Sequence, residues 1–383
     1  MIRCSAGLVC AVILLLDCAG RSAKPAVARG DFPYRANAQR TGAYDTEGPR
    51  KVTDTAIFFT QPGRIGFGVG FATPVVAGEV AYFAAADSYL YAYDVKHQRE
   101  LWRYKTGTLG SGCTPAVFDG VVYFGSEDSV LRALDAMTGT ERWRFRTGGG
   151  VTSSPVVESN LVLFGSDDAN LYALDVRTGA ERWRYETRGG IGSSPAVAQR
   201  VVYFGSRDSF MYAVDLDARQ ARWKFRTGGP VEATPAIAGG MVYLVSPDKH
   251  IYALDADSGQ QRWSFRTDSF PSAGAAVAGG VVYCGSHNGT LYALDAKTGN
   301  ERWRSKTPGG IWGAPSVAGR TLYLGSGDKC LYAMDVETGQ ELWKYETGAF
   351  PVFCSPVIAA GTVYFGHLSC RASPKPGALI GLR

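Results

Sequence analysis

Helical periodicity is missing: no stretch of this 383-residue chain repeats apolar residues at three-to-four spacing over the length a helix needs. That excludes helical bundles and leaves short β-rich runs as the only regular structure. Histidine is scarce, with copies at 97, 250, 287 and 367, and none is placed with a serine or cysteine as a nucleophile and its base. The cysteines include no adjacent pair and, from Cys113 onward, no pair-of-pairs spacing for a metal. They read as free thiols in small buried positions, with a Cys354–Cys370 bridge as the alternative in an oxidising compartment. The net charge of +5 is modest, and no basic stretch interleaves with aromatics, so nucleic acid is not an expected partner. After the N-terminus no segment is apolar for long enough to cross a membrane as a helix.

What is present begins with an export signal. Arg3 precedes the run Leu8–Leu16, too short to span a bilayer, which places a signal peptide at residues 1–20. Leu15-Leu16-Asp17-Cys18-Ala19 is similar to a lipobox with Cys18 as the acylated residue, although Asp17 is larger than the usual neighbour. Cleavage after Gly20 or Ala28 without lipidation is the competing reading. Residues 21–54 form a lead-in, and the repeat occupies 55–383.

Seven tryptophans, Trp102, Trp143, Trp183, Trp223, Trp263, Trp303 and Trp343, fall 40 or 41 residues apart. Each closes one phrase, most clearly Ala133-Leu134-Asp135-Ala136-Met137-Thr138-Gly139-Thr140-Glu141-Arg142-Trp143. A period near 40 with four short β-rich runs describes a β-propeller blade. The phrase Asp is expected to accept backbone N–H groups in the turn, and the Gly to supply positive φ. All seven tryptophans are expected to be structural, each buried over the interface between blades. Two copies lack the glycine, with His97-Gln98 and Arg219-Gln220 instead, so those turns are expected to differ.

Blades open on a Thr/Ser/Ala-Pro signal at Pro74, Pro115, Pro155, Pro195, Pro235, Pro315 and Pro356, with Ala275 in the missing slot. Eight openings against seven closures predict an all-β, eight-bladed propeller. The last blade has its third strand at Ala378–Leu382, and its outer strand is expected to come from Thr55–Thr60, which would close the ring.

The Ala-x-Asp-x-x-Thr-Gly-x-x-x-Trp phrase resembles the tryptophan-docking motif of the pyrroloquinoline-quinone-like, quinoprotein-type repeat family, from about residue 55 to the end. Asp31–Gly42 is similar to the lead-in of that family's exported members. The family holds alcohol and sugar dehydrogenases and BamB, the non-enzymatic lipoprotein of outer-membrane β-barrel assembly, so the fold alone does not choose. In its large enzymes the quinone stacks between a tryptophan and a disulfide of adjacent cysteines and works with Ca²⁺. Here only Trp312, outside the phrase, could be such a platform. No catalytic residue, cofactor or metal is assigned. The resemblance implies an exported monomer within a complex, with protein partners in the cell envelope. A quinone-dependent dehydrogenase and a periplasmic propeller for a peptide or polysaccharide remain the alternatives.

Acidic residues recur at one position of one turn, at Asp87, Asp128, Asp168, Asp208, Asp248 and Asp328, with Asn288 in the equivalent place. They read as turn caps. Three residues before each opening signal stand Phe71, Gly112, Thr152, Gly192, Glu232, Ser272, Trp312 and Phe353. Phe71, Trp312 and Phe353 come from neighbouring blades once the ring closes. They are expected, with Glu232, to form a partner-binding arc at the channel mouth. Outer-strand cations at Arg144, Arg146, Lys224, Arg226, Arg304 and Lys306 are expected to discourage pairing between sheet edges.

Overall fold

A computed structural model describes residues 42–60, 73–85, 87–107, 113–348, 351–367 and 378–383. They form eight antiparallel sheets arranged as a closed ring, with blades spanning 75–105, 116–146, 156–186, 196–226, 236–266, 276–306, 316–346 and 357–382. Each blade starts with a three-residue inner strand and steps outward through three longer ones. The second and third strands are mostly buried, Leu161–Gly165 entirely so, because neighbouring blades cover both faces of each sheet. Only the outer strand alternates. In Glu181–Glu186 the tryptophan points inward while Arg182 and Arg184 face solvent. Arg144 and Arg304 are ion-paired with Glu141 and Glu301 of their own strands.

The phrase works as a turn and a clamp. Asp135 Oδ1 accepts the backbone N–H groups of Met137 (3.0 Å) and Thr138 (2.9 Å), and Oδ2 takes Arg142 at 2.8 Å. The arginine before five of the seven tryptophans is thus part of the signal, with Leu101 and Leu342 in its place in the other two. Arg182 and Arg262 hold Asp175 and Asp255 well below the usual carboxylate range. The Ala218 N–H brings Asp215 to about 2, and Arg302 does the same for Asp295.

Five of the blades dock on the next through one carbonyl. The Ala256 oxygen accepts both Trp223 Nε1 (2.9 Å) and Tyr203 OH (3.1 Å) of the preceding blade. The Ala296 oxygen does the same for Trp263 and Tyr243, each at 3.0 Å. Trp102 with Tyr82 repeats the arrangement on Ala136, both at 3.0 Å. Trp143 donates to the Val176 oxygen at 3.0 Å, and Trp303 to the Val336 oxygen at 3.1 Å. The glycine lets the indole lie flat on the turn. Gly259 has φ +70°, and a Cβ there would stand 2.5 Å from Trp223 Cδ2.

Burial of these indoles is less uniform than the repeat predicts. Trp102, Trp183, Trp223 and Trp263 are buried, whereas Trp143, Trp303 and Trp343 are only half-buried. The outer strand that carries them is the rim of the ring, where no further strand covers it. The donated bond survives the difference, so Trp303 docks as Trp102 does.

The two turns without glycine do not differ as expected. Gln98 and Arg219 occupy the glycine slot and adopt the same left-handed φ, 52° and 58°. The reason lies in the preceding blade. Blade 8 sends no tryptophan against Gln98, so a side chain there displaces nothing. Against Arg219 the cost is visible: among the described residues Trp183 is the one phrase tryptophan whose indole makes no bond to the facing turn, and Leu163 replaces the tyrosine. Arg219→Gly is therefore expected to let Trp183 reach the Leu216 carbonyl and raise stability by about 1 kcal/mol. Unchanged denaturant midpoints would contradict this.

The N-terminal segment closes the ring, as the strand count required. Thr55–Thr60 pairs antiparallel with Ala378–Leu382 as the outer strand of blade 8. Upstream, Ala43–Tyr44 adds a parallel strand on the channel side of Val317–Ala318 in blade 7. Pro49 then supplies the docking carbonyl that blade 8 lacks, accepting Tyr323 OH (2.9 Å) and Trp343 Nε1 (3.2 Å). Around the channel Ser355 N–H donates to Thr73 Oγ1 at 3.3 Å, linking blade 8 to blade 1.

Candidate functional site

The loops approaching each inner strand and the turns between second and third strands share one face of the ring. The recurrent turn aspartates are used up in holding that face. Asp168 Oδ2 accepts Tyr172 OH and the Gly148 N–H, both at 2.7 Å, while Oδ1 accepts the Asn170 N–H at 3.1 Å. Asp248 repeats the set with Tyr252, Gly228 and His250. In blade 2 the tyrosine is replaced by Arg132, whose buried guanidinium pairs with Asp128. These carboxylates cap turns and tie each blade to the loop before it. Among the described residues no three His, Cys, Asp or Glu side chains converge as a metal-binding set.

Where the repeat departs from itself, the rings gather. Trp312 is 46% exposed, Phe270 48% and Phe353 36%, unusual for side chains of this size. They form a line with His287. Phe353 meets Trp312 at 5.6 Å and 64°, His287 stacks on Trp312 at 4.0 Å and 24°, and Phe270 stands 6.3 Å beyond His287. Lys249 Nζ lies 5.6 Å from the centre of the Phe270 ring. Backbone bonds hold the line in place: Ala273 N–H to the Trp312 carbonyl (3.0 Å) and His287 N–H to the Phe270 carbonyl (2.9 Å). Gly310 permits the close approach, since a Cβ there would meet the His287 oxygen at 2.4 Å.

Beneath the line is a cavity of about 340 Å³, walled by Ala233, Val245, Pro247, Phe270, Pro271, His287 and Trp312. Glu232 at its rim is the single acidic or basic side chain of the wall apart from the imidazole. Its Oε1 takes Arg207 Nε at 2.6 Å, and the same guanidinium reaches Asp167 Oδ1 at 2.9 Å.

The sequence-derived site residues are thus distributed unevenly. Trp312 and Phe353 touch, and Glu232 borders the same cavity. Phe71 and Cys18 lie outside the described residues, as does Cys370, while Cys354 Sγ accepts the Gly366 N–H at 3.1 Å. The phrase tryptophans, from Trp102 through Trp303 to Trp343, stand on the outer strands and line no part of this mouth. Phe270 and His287 were not legible from the slot three residues before each opening signal. The available hint was the Phe270-Pro271 dipeptide in the one loop whose opening proline is replaced by Ala275.

Burial lowers the His287 pKa, so the ring is neutral at pH 7. A histidine with a depressed folded pKa supports the fold fully above its unfolded value near 6.5, and that support declines as pH falls from there toward the folded value. Trp312 emission, taken as the wild type minus Trp312→Phe, is expected to drop as pH falls below about 6.5 and His287 charges. A drop that persists in His287→Phe would contradict this.

The quinone suggested by the repeat does not suit these residues. Pyrroloquinoline quinone is a tricarboxylate, and the cavity wall offers it a carboxylate rather than cations. Trp312, the one spare tryptophan, already has His287 stacked on it and Phe353 set against it at 64°.

The family model described as outer membrane protein assembly factor BamB matches residues 86–191, 177–274 and 266–373, three overlapping windows that cover most of the chain. No curated protein matches at a significant level. Among solved structures, BamB from Moraxella catarrhalis superimposes with a TM-score of 0.69 at 17% identity, over 87% of this chain and 99% of that one. A quinohemoprotein alcohol dehydrogenase from Pseudomonas putida HK5 gives 0.77 at 16%, over 91% and 79%. The computationally designed Ika8 protein gives 0.72 at 16%, over 84% and 98%. A ring common to an assembly factor, an enzyme and a design speaks to fold alone.

Proposed function

The chain belongs to the outer membrane protein assembly factor BamB family, and on that premise we propose that it is a non-enzymatic extracytoplasmic scaffold that binds other proteins of the cell envelope. The observation that carries this reading is the exposed line Phe270–His287–Trp312–Phe353, fixed by backbone bonds at the channel mouth. Preorganised aromatic side chains around an apolar cavity lose little freedom on binding, which is what concentrates energy in an interaction hot spot. Among the described residues the cavity lining presents a carboxylate, and the turn aspartates are engaged in capping, which favours a protein ligand over a tricarboxylate quinone with its metal. The export signal at residues 1–20 supports a periplasmic or outer-membrane address, with an acyl group on Cys18 as the proposed anchor. The protein is taken to act as a monomer within a larger complex.

The test is co-purification from detergent-solubilised envelopes of the native cells. Trp312→Ala with Phe353→Ala is expected to keep a cooperative fold, since neither ring belongs to the buried core, and to lose the proteins that the wild type retains. A folded double variant that keeps every partner would sink this reading.

A further inference from the structure

We propose that the cavity under the aromatic line is a docking pocket for an extended peptide segment in which an apolar side chain is followed by lysine or arginine. This deepens, and rests on, the protein-scaffold reading above.

The apolar half of the specificity comes from the walls. Val245, Pro247, Pro271 and Ala233 offer no hydrogen-bonding side chain, and about 340 Å³ is ample for one large apolar residue. The rings stand as a ladder rather than as open platforms. His287 covers one face of Trp312 at 4.0 Å, and Phe353 crosses it at 64° from the neighbouring loop. The face of Trp312 that His287 covers is closed to ligands that stack on a bare ring, such as sugar rings. A side chain entering the cavity meets Phe270, His287 and Trp312 along one wall.

The cationic half comes from charge. Glu232 is 55% exposed at the rim, and among the described residues its Oε2 takes no hydrogen bond. Arg207 is shared by Glu232 and Asp167, so two carboxylates stand against one guanidinium, and the exposed Glu127 lies next along the mouth. Lys249 already sits over the Phe270 ring, so the preference for a cation rests on Glu232 rather than on the aromatic faces. Glu232 is thus the one carboxylate of the cavity lining, beside the aromatic line, on a chain whose net charge is +5. Such a combination selects a cation held beside an apolar anchor.

The probes are two fluorescein-labelled peptides, Gly-Ser-Phe-Arg-Phe-Lys-Gly-Ser and its counterpart with Glu in both basic positions, read by fluorescence anisotropy on the full mature protein. Wild-type protein is expected to bind the basic peptide at least about tenfold more tightly than the acidic one. Glu232→Gln should bring the ratio toward one without moving the thermal midpoint, and Trp312→Ala should weaken the basic peptide about tenfold. Equal binding of the two peptides, no binding of either, an unchanged ratio in Glu232→Gln, or displacement by the neutral sugar cellohexaose would each overturn the proposal. If the peptides fail while Trp312→Ala with Phe353→Ala still loses envelope partners, the peptide pocket falls and the scaffold reading stands.

Discussion

A chain lacking residues 1–60 is expected to lose its single cooperative thermal transition and to be recovered mainly as aggregate. Removing Thr55–Thr60 bares the whole Ala378–Leu382 strand, and an unpaired strand is a template for association. Removing Pro49 leaves Tyr323 OH and Trp343 Nε1 without their shared acceptor. Tyr44 and Val52 pack against the core shared by blades 7 and 8, and that burial is also lost. The parallel pairing of Ala43–Tyr44 with blade 7 goes as well. A synthetic peptide of residues 42–60 should restore the transition in trans. Recovery of a monomer with an unchanged midpoint from the truncated chain would show that the ring closes without its N-terminus.

The second large effect is at the docking tryptophans, and it is graded. Trp263→Ala removes an indole only 8% exposed, together with its 3.0 Å bond to the Ala296 carbonyl. The expected loss is about 3–5 kcal/mol. Trp183 is equally buried but makes no such bond among the described residues, so Trp183→Ala should cost about 1 kcal/mol less. Denaturant titration of both variants measures the difference. Equal losses would mean that the shared carbonyl contributes nothing beyond ring packing.

These two effects also mark what a reader of the sequence could and could not see. The tryptophan spacing and the eight opening signals identify the ring, and the missing outer strand points to Thr55–Thr60, because each rests on side-chain types that recur in place. The docking role of Trp102 and Trp303 was legible for the same reason, but the half-exposure of Trp303 was not, since identical phrases differ only in how much of the rim covers them. Pro49 was invisible for a physical reason: its role belongs to a backbone carbonyl, which every residue carries. The two turns without glycine were misread because the requirement sits in the preceding blade, in whether an indole lies against the slot. At the mouth, Trp312, Phe353 and Glu232 stood out as departures from the repeat at one position. Phe270 and His287 belong to other positions, and their place in the line follows from the 4.0 Å stack and the Phe270-Pro271 loop. The turn aspartates show the reverse. Their regular recurrence marked structural caps, and their hydrogen bonds to Tyr172, Tyr212 and Tyr252 agree.

Site-specific photo-crosslinking in intact cells tests the scaffold account most directly. A photoreactive residue in place of Phe270 is expected to capture a defined envelope protein. The same residue in place of Lys224, on the outer strand of blade 4, should capture none. Capture from position 224 alone, or equal capture from both, would contradict a partner seated on the aromatic mouth.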